Sequence, residues 1–244
     1  VNLGVGLATA GKKVLLVDAD PQGSLTVSLG IKNPDELDVS LSSIMQSVID
    51  DEPFAEGAII RHQEGVDLLP SNIELSGMET GLFNVMSREY VLKNAIDGMR
   101  KRYDYILIDC MPSLGMMTIN ALVAADSVII PSQPNFLSTK GLNLLLRSIS
   151  KIKRQINPRL KIDGILLTMV DNHTNNTKAI ISSLRCTVGE NIRVFRSEIP
   201  FSVRAAECSL SGESIFSHDR NGKVTAAYGL LTKEVTELEE RAKN

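Results

Sequence analysis

Six short and nearly continuous apolar segments recur along the chain. They cover residues 14–18, 66–70, 103–112, 127–134, 161–170 and 194–200. Strands that are buried on both faces have continuous apolar sequences, whereas strands with one exposed face alternate between apolar and polar residues. The pattern therefore predicts six strands in a sheet that is covered on both sides.

Helical periodicity fills the segments between these strands. The predicted helices cover residues 87–102, 116–125, 137–155, 175–188 and 224–242, and residues 1–10 have the pattern of the remainder of a helix. Residues 31–71 are the least regular, and we expect them to pack at an edge as short helices. Alternating strands and helices predict right-handed βαβ units. The expected fold is α/β, a doubly wound, mostly parallel sheet flanked by helices, in a single domain over residues 1–244.

Composition narrows the classes of function. The 244 residues are 43% hydrophobic and carry a net charge of −3, so a contact with nucleic acid would depend on a local basic patch. The three cysteines are scattered without metal-binding spacing, which is typical of a reducing cytoplasm. No apolar run approaches the length of a membrane span.

Acidic residues follow two of the predicted strands, at the edge where sheets of this kind bind ligands. Asp18 and Asp20 follow the first strand, and Asp109 closes another. A carboxylate at a strand tip is typical of an acid that holds Mg²⁺ beside nucleotide phosphates, and it is equally typical of a turn or helix cap. Asp18 and Asp20 are placed to orient a water for attack on a γ-phosphate, although Asp-Pro and Gln-Gly are also common in turns. Each motif taken alone leaves both interpretations open.

Five segments together are more specific than any one of them. In chain order they read GKKVLLVDADPQGS, YDYILIDCMPSLG, SVIIPSQPNFLSTKGLNLLL, GILLTMVDNHTNNTK and EIPFSVRAAECSLSGESIF. With these segments in this order, the chain resembles the ParA/Soj family of deviant-Walker P-loop partition ATPases of the MinD/ParA class. The resemblance extends from the first residue to about residue 234.

The resemblance implies a cytoplasmic, nucleoid-associated ATPase for chromosome or plasmid partition. Such a protein uses ATP and Mg²⁺, forms an ATP-dependent homodimer, binds DNA without sequence preference and is stimulated by a ParB-like partner. Among the acids, the resemblance makes Asp20 the water-activating residue and a metal contact, Asp18 its neighbour in the same switch segment, and Asp109 the magnesium position, acting through water. The residues that it places against the nucleotide are Pro131, Thr168, Met169, Pro200 and Ser202.

Three arginines are candidates for contacts with DNA phosphates. Arg193, Arg196 and Arg204 lie in the C-terminal strand-to-helix connections. Several such contacts would make binding strongly dependent on salt. The alternative is ordinary solvated surface charge.

One part of the family pattern is not in the sequence. The family has a glycine-rich, lysine-bearing phosphate loop just before the segment that begins at Val1. We expect this chain to be a fragment that neither binds nor hydrolyses ATP appreciably by itself, and the intact gene product to be an ATPase. One alternative is a truncated, non-catalytic interaction or regulatory module. Another is a MinD-like membrane-cycling ATPase, which the acid-rich C-terminal segment disfavours because membrane-surface helices are rich in Lys and Arg.

Overall fold

The structure is a computed structural model that describes residues 1–54, 57–111, 113, 115–171, 175–188 and 192–243. Side chains are described in these ranges except at 136–140, 175–176, 187 and 242–243. The chain divides into two compact units, one comprising Val1–Ala125 with Cys208–Ser214 and the other Asp126–Glu207 with Ile215–Asn244. The single domain over residues 1–244 stays a prediction.

The first unit contains a four-stranded sheet in the order β2-β3-β1-β4. Its strands are β1 (Val14–Ala19), β2 (Ile60–Arg61), β3 (Asp67–Leu69) and β4 (Tyr105–Cys110), and only the β2–β3 pair is antiparallel. Its helices are α1 (Asn2–Thr9), α2 (Ser24–Ser28), α3 (Leu41–Asp50), α4 (Glu74–Gly81), α5 (Val91–Asp97) and α6 (Met116–Ala124). Short 3₁₀ turns cover Pro34–Glu36, Leu82–Asn84, Arg88–Tyr90 and Arg100–Arg102.

Helices cover both faces of this sheet, as the continuous apolar sequence of β1 predicts. Leu15 and Val17 point into a core that they share with residues of α3, α4, α5 and α6. Leu16 points to the opposite face, where α1 packs. A Cβ atom on Gly4 of α1 would lie 2.5 Å from Leu16 Cδ2, so the glycine allows this close approach.

The second unit contains a three-stranded parallel sheet in the order β5-β6-β7. Its strands are β5 (Ser127–Ser132), β6 (Lys161–Val170) and β7 (Val194–Pro200), and its helices are α7 (Phe136–Gln155), α8 (Asn175–Thr187), α10 (Ile215–His218) and α11 (Lys223–Lys243). Helix α9 (Val203–Ser211) has residues in both units. Phe195 of β7 is fully buried, and α11 packs against the same strand. No described helix is both long and apolar enough to cross a membrane.

The predicted α/β class, with mostly parallel strands flanked by helices, is confirmed. The prediction of one helix over 87–102 is wrong, because α5 is flanked by separate 3₁₀ turns. Helix α5 ends at Asp97, with Gly98 as its C-cap, and at its start the Asn120 side chain accepts a hydrogen bond from the Leu92 N–H at 3.0 Å. Residues 31–71 contain short helices, as expected, and also β2, which is the edge strand of the four-stranded sheet, and β3 beside it.

Two glycine backbones touch within the first unit, and this contact yields a prediction. Gly212 has φ +71°, and a Cβ atom there would lie 2.5 Å from Gly30 Cα and 2.9 Å from Gly30 N. Because backbone atoms cannot move aside as a flexible side chain can, we expect Gly212→Ala to lower the free energy of unfolding by about 2–4 kcal/mol. Urea unfolding followed by circular dichroism measures the change.

The matched control is Gly77→Ala. Gly77 lies in α4, and a Cβ atom there would meet nothing within 4 Å. Alanine favours helix over glycine, so we expect this variant to gain about 0.5–1 kcal/mol. A Gly212→Ala protein with the urea midpoint of the parent would contradict the contact.

Candidate functional site

Two carboxylates meet at the carboxyl ends of adjacent strands in the first unit. The β1–β4 register pairs Asp18 with Asp109 and Leu16 with Leu107. Since side chains alternate along a strand, both aspartates lie on the face that α1 covers. The charges of Asp109 and Asp18 both act on the backbone nitrogen of Val1, the N-cap residue of α1. The N-terminal end of α1 therefore lies close to both acids.

Asp18 is fully buried and its two oxygens are occupied by neighbouring donors. Its Oδ2 accepts hydrogen bonds from the Thr26 N–H at 2.8 Å and the Thr26 hydroxyl at 2.7 Å, and its Oδ1 accepts one from the Asp20 N–H at 3.2 Å. Burial raises the pKa of Asp18, and these hydrogen bonds only partly oppose the rise. Through these hydrogen bonds, Asp18 holds the loop between β1 and α2 in place.

Asp20 sits on that loop with a different environment. Its Oδ1 accepts a hydrogen bond from the Gln22 N–H at 2.9 Å, and no described residue donates to Oδ2. Gly23, with φ +61°, turns the chain into α2, and a Cβ atom there would lie 3.3 Å from the Ser71 carbonyl oxygen. The tight turn thus presents a partly exposed carboxylate with one oxygen available.

Asp109 is exposed at the end of β4, yet its surroundings disfavour its charge. Burial of the carboxylate raises the pKa of Asp109, and the charge of Asp20 raises it further. Burial is the largest cause of this raised pKa, and the neighbouring carboxylate adds to it. Burial together with Asp109, Asp18 and Asp20 raises the pKa of the neighbouring Cys110 thiol to about 12, so this thiol stays protonated.

This donor set fits a magnesium ion that is shared with a nucleotide. No three acidic, histidine or cysteine side chains converge on a metal position anywhere in the described ranges. Mg²⁺ beside phosphates takes only one or two carboxylates and fills its remaining positions with water and phosphate oxygens. Asp109 and Asp20 meet that requirement, whereas a closed structural metal site would need more ligands.

The residues expected against the nucleotide occupy the second unit. Val170 of β6 pairs with Pro200 of β7, and the Phe201 N–H donates to the Val170 carbonyl oxygen at 3.1 Å. Thr168 and Met169 therefore lie beside Pro200, at the carboxyl ends of the neighbouring strands β6 and β7. Ser202 follows Pro200 by two residues along the chain. Pro131 lies on β5, opposite Leu166 of β6.

Met169 combines strain with exposure. Its φ of +52° lies in the left-handed region, which is unfavourable for residues other than glycine. Its side chain is 52% exposed. The Gln133 amide donates a hydrogen bond to Met169 Sδ at 2.9 Å. Strained residues with exposed side chains are concentrated at ligand sites, so the conformation supports a contact role.

Each of the three arginines proposed for DNA has an acidic neighbour. Arg204 Nη1 lies 2.8 Å from Asp219 Oδ1. Arg193 Nη2 and Arg196 Nε lie 3.5 and 3.8 Å from Glu234 Oε1. Each arginine thus has at least one carboxylate within 4 Å, and their DNA role stays a prediction.

Glu234 organises this part of the second unit, and its loss is our second stability prediction. The 5% exposed side chain accepts hydrogen bonds from the Arg196 N–H, the Ser197 N–H and the Ser197 hydroxyl at 3.0–3.1 Å. We expect Glu234→Gln to lower the free energy of unfolding at pH 7 by about 1–3 kcal/mol, because an amide group replaces one acceptor oxygen. Glu237→Gln, at a 53% exposed position 3.9 Å from Arg196, should change it little.

The effect of Glu234→Gln should depend on pH. Burial by itself raises the pKa of Glu234, but the hydrogen bonds and the Arg193 charge together lower it below the ordinary 4.5. A lowered folded-state pKa gives stability that is present above about 4.5 and lost as the pH falls through the folded-state value. The difference between parent and variant should therefore shrink below pH 4.5 in urea titrations, and a constant difference would contradict this account.

Sequence reasoning missed Thr26, which holds Asp18 and also accepts a hydrogen bond from the Ser71 N–H at 3.1 Å. The available signal was a threonine in the first turn of the helix that follows Asp20. A second pattern is deceptive: residues 6–13, GLATAGKK, nearly match a phosphate loop. They end α1 and precede β1, whereas a phosphate loop follows a strand and opens a helix.

A mostly parallel sheet with helices on both faces and carboxylates at the ends of adjacent strands is the architecture of α/β proteins of the P-loop class. The sequence profile of an AAA domain family matches residues 1–162. The sporulation initiation inhibitor protein Soj of Bacillus subtilis is 39% identical over 96% of this chain and 90% of its own length. The chromosome partitioning protein ParA of Caulobacter vibrioides is 34% identical over 98% and 88%. The chain belongs to this AAA domain family and, within it, to the ParA/Soj proteins.

A solved structure confirms the fold. The cobyrinic acid a,c-diamide synthase of Mycobacterium smegmatis, with a bound ATP analogue and magnesium, superimposes with a TM-score of 0.83. The sequences are 33% identical, and the match covers 98% of this chain and 88% of that chain.

Proposed function

We propose that the protein is an ATPase of the ParA type that partitions DNA. The observation that carries this proposal is the pairing of Asp18 with Asp109 beside the N-terminal end of α1, with Asp20 on the adjoining loop. Negative groups such as phosphates are favoured at a helix N-terminus. The identity with Soj and ParA supports partition as the purpose of the hydrolysis.

Each acid has a separate task in this proposal. Asp109 and Asp20 would hold Mg²⁺, partly through water, and the bound ion would supply charge neutralisation for the phosphates. Oδ2 of Asp20 would accept a hydrogen bond from the attacking water and orient it. Asp18 would keep the Asp20 loop in place through its hydrogen bonds with Thr26. Pro131, Thr168, Met169, Pro200 and Ser202 would contact the base and ribose.

Residues 1–244 contain no glycine-rich loop that ends in Lys-Ser or Lys-Thr. Such a loop supplies the backbone N–H groups and the lysine that stabilise phosphate charge, usually the largest contribution to phosphoryl transfer. We therefore propose that residues 1–244 alone do not bind or hydrolyse ATP appreciably. The site would be completed by such a loop joined ahead of Val1, and we call this version the loop-extended protein.

Calorimetric titration with ATP and Mg²⁺ tests the proposal on both proteins. We expect binding to the loop-extended protein and none to residues 1–244. Tight, Mg²⁺-dependent binding by residues 1–244 would contradict the need for the loop. Loop-extended protein that binds ATP without hydrolysing it would favour the non-catalytic regulatory module.

The proposal includes an ATP-dependent homodimer, DNA binding without sequence preference on the nucleoid and stimulation by a ParB-like partner in the cytoplasm. These properties follow from the membership of the family rather than from a contact in the structure. Light scattering of the loop-extended protein with a non-hydrolysable ATP analogue tests the first of them. Twice the monomer mass is expected, and a monomer with bound analogue would contradict it.

The name of the Mycobacterium smegmatis structure provides a second candidate, diamide synthesis on cobyrinic acid. Its identity with this chain is comparable to that of ParA. Incubating the loop-extended protein with cobyrinic acid, ATP and a nitrogen donor, followed by mass spectrometry, separates the two functions. We expect no diamide. Formation of the diamide would show that the protein is a synthase rather than a partition ATPase.

A further inference from the structure

A carboxylate of α4 lies against the start of α6. The Met117 N–H, in the first turn of α6, donates a hydrogen bond to Glu79 Oε1 at 3.3 Å. A Cβ atom on Gly115, the N-cap residue of α6, would lie 3.2 Å from Glu79 Cδ and closer still to Glu79 Oε1. The glycine therefore leaves the space that this carboxylate occupies.

Helix α6 needs an acceptor at this end. The first backbone N–H groups of a helix have no acceptor within the helix. In α6 the bonding within the helix starts with the Ile119 N–H, which donates to the Gly115 carbonyl oxygen at 3.1 Å. Gly115 has no side chain that could cap the helix. Glu79 supplies the acceptor from another helix, and its negative charge is favourable at a helix N-terminus.

The capped end of α6 follows closely after Asp109. Residues 111–115 join β4 to α6, and positions 111, 113 and 115 of this segment are described. We call this segment the β4–α6 linker. The Thr118 hydroxyl donates a hydrogen bond to the Ser113 carbonyl oxygen at 2.7 Å. Glu79 and Thr118 therefore both hold the linker at the point where it enters α6.

The segment that carries Glu79 also contacts the loop between β1 and α2. The Ser71 N–H donates to the Thr26 hydroxyl oxygen at 3.1 Å, and the same hydroxyl donates to Asp18 Oδ2 at 2.7 Å. Helix α4 begins three residues after Ser71. Residues 71–79 therefore contact both segments that carry the acids of the proposed site.

We propose that Glu79 is a positioning residue for the ATPase reaction. By capping α6 it holds the β4–α6 linker, and through the linker it holds Asp109 where the carboxylate can face Mg²⁺. In this role Glu79 touches neither the nucleotide nor the ion. Loss of a group that orients a metal ligand typically lowers metal affinity or activity about 10–100-fold. The role in hydrolysis rests on the proposed function, whereas the contact itself rests on the hydrogen bond to Met117.

The contact is tested without nucleotide, by amide hydrogen exchange of residues 1–244 measured with NMR. The Met117 N–H should exchange at least about tenfold faster in Glu79→Ala, because its acceptor is removed. Glu79→Gln keeps an acceptor oxygen and should leave this exchange within about threefold of the parent. The Ile119 N–H has its acceptor within the start of α6 and serves as the internal reference.

The role in the reaction is tested by steady-state hydrolysis with the loop-extended protein. We expect Glu79→Ala to lower kcat about tenfold and to raise the Mg²⁺ concentration that gives half of the maximal rate. The KM for ATP should stay within about twofold, because the nucleotide contacts are intact. A purely structural role would reduce the amount of folded protein and leave the Mg²⁺ dependence unchanged. Glu79→Gln should restore most of kcat.

Two further variants separate Glu79 from its surroundings. Gly115→Ala places a Cβ atom where the carboxylate lies, so it should reproduce the loss of Glu79→Ala. In the Glu79→Ala background the same substitution should have no further effect, because non-additivity of this kind marks a direct contact. The matched control is Glu74→Ala, which removes another carboxylate of α4 that contacts Ser42 instead of α6. It should leave kcat within about twofold, and thermal melting shows that each variant is folded.

Unchanged exchange of the Met117 N–H in Glu79→Ala would overturn the contact. Faster exchange with the kcat and Mg²⁺ dependence of the parent would overturn the role in placing Asp109, and so would equal losses for Glu79→Ala and Glu74→Ala. A loop-extended parent that binds ATP without hydrolysing it would overturn the proposed function and the role in hydrolysis together. The exchange result would still decide the contact, so the two failures are distinguished.

Discussion

Asp20→Ala in the loop-extended protein lowers the rate of ATP hydrolysis at least about 100-fold and leaves ATP affinity within a few-fold, the loss expected when a group that positions the attacking water is removed. Asp20 stands on a tight turn, where the Gln22 N–H binds Oδ1 and no described residue binds Oδ2. The variant should thus lose the carboxylate and its hydrogen bond from the Gln22 N–H, while the hydrogen bonds between Thr26 and Asp18 keep the loop in place. Phosphate release at saturating ATP measures the rate, and calorimetry measures the affinity.

The matched control is Asp38→Ala. Asp38 is an exposed aspartate of the same unit that takes no part in the proposed site. Its replacement should leave the rate within twofold of the parent. An Asp20→Ala protein that keeps more than half of the parent rate would remove Asp20 from the catalytic group.

Asp18→Ala has the largest expected effect on stability. Three donors, the Thr26 N–H, the Thr26 hydroxyl and the Asp20 N–H, lose their acceptor, and the Asp18 site is fully buried. We expect the free energy of unfolding to fall by about 3–5 kcal/mol, because buried donors without acceptors are expensive. Urea unfolding of residues 1–244 measures the loss without requiring nucleotide.

Asp18→Asn separates the hydrogen bonds from the charge. The amide oxygen still accepts from Thr26, while the amide NH₂ faces the Asp20 N–H, so we expect a smaller loss of about 1–2 kcal/mol. Because burial raises the pKa of Asp18, we expect its acceptor oxygens rather than its charge to stabilise the loop. Equal losses for Asp18→Ala and Asp18→Asn would show that the charge, rather than the acceptor, holds the loop.

The strands were predictable because burial on both faces leaves a continuous apolar signal. Strands β6 and β7 begin and end where the sequence predicts. The limits of helix α5 were not predictable, because the side chain of Asn120 in α6 accepts a hydrogen bond from the N–H at the start of α5. Tertiary hydrogen bonds of this kind leave no periodic pattern in the sequence.

The candidate site was predictable only in part, because it too depends on tertiary contacts that leave no pattern in the sequence. Asp18 and Asp109 could be placed at strand ends, but their register required the β1–β4 pairing. The pairing of Arg193 with Glu234 joins residues 41 positions apart, so the sequence could not show that this arginine is compensated.

Magnesium-dependent release of phosphate from ATP by the loop-extended protein tests the central claim most directly. The account predicts steady release that stops when Mg²⁺ is chelated or Asp20 is replaced by alanine. Bound ATP that remains intact in the presence of Mg²⁺ would contradict it, and the protein would then be a nucleotide-binding module without hydrolytic activity.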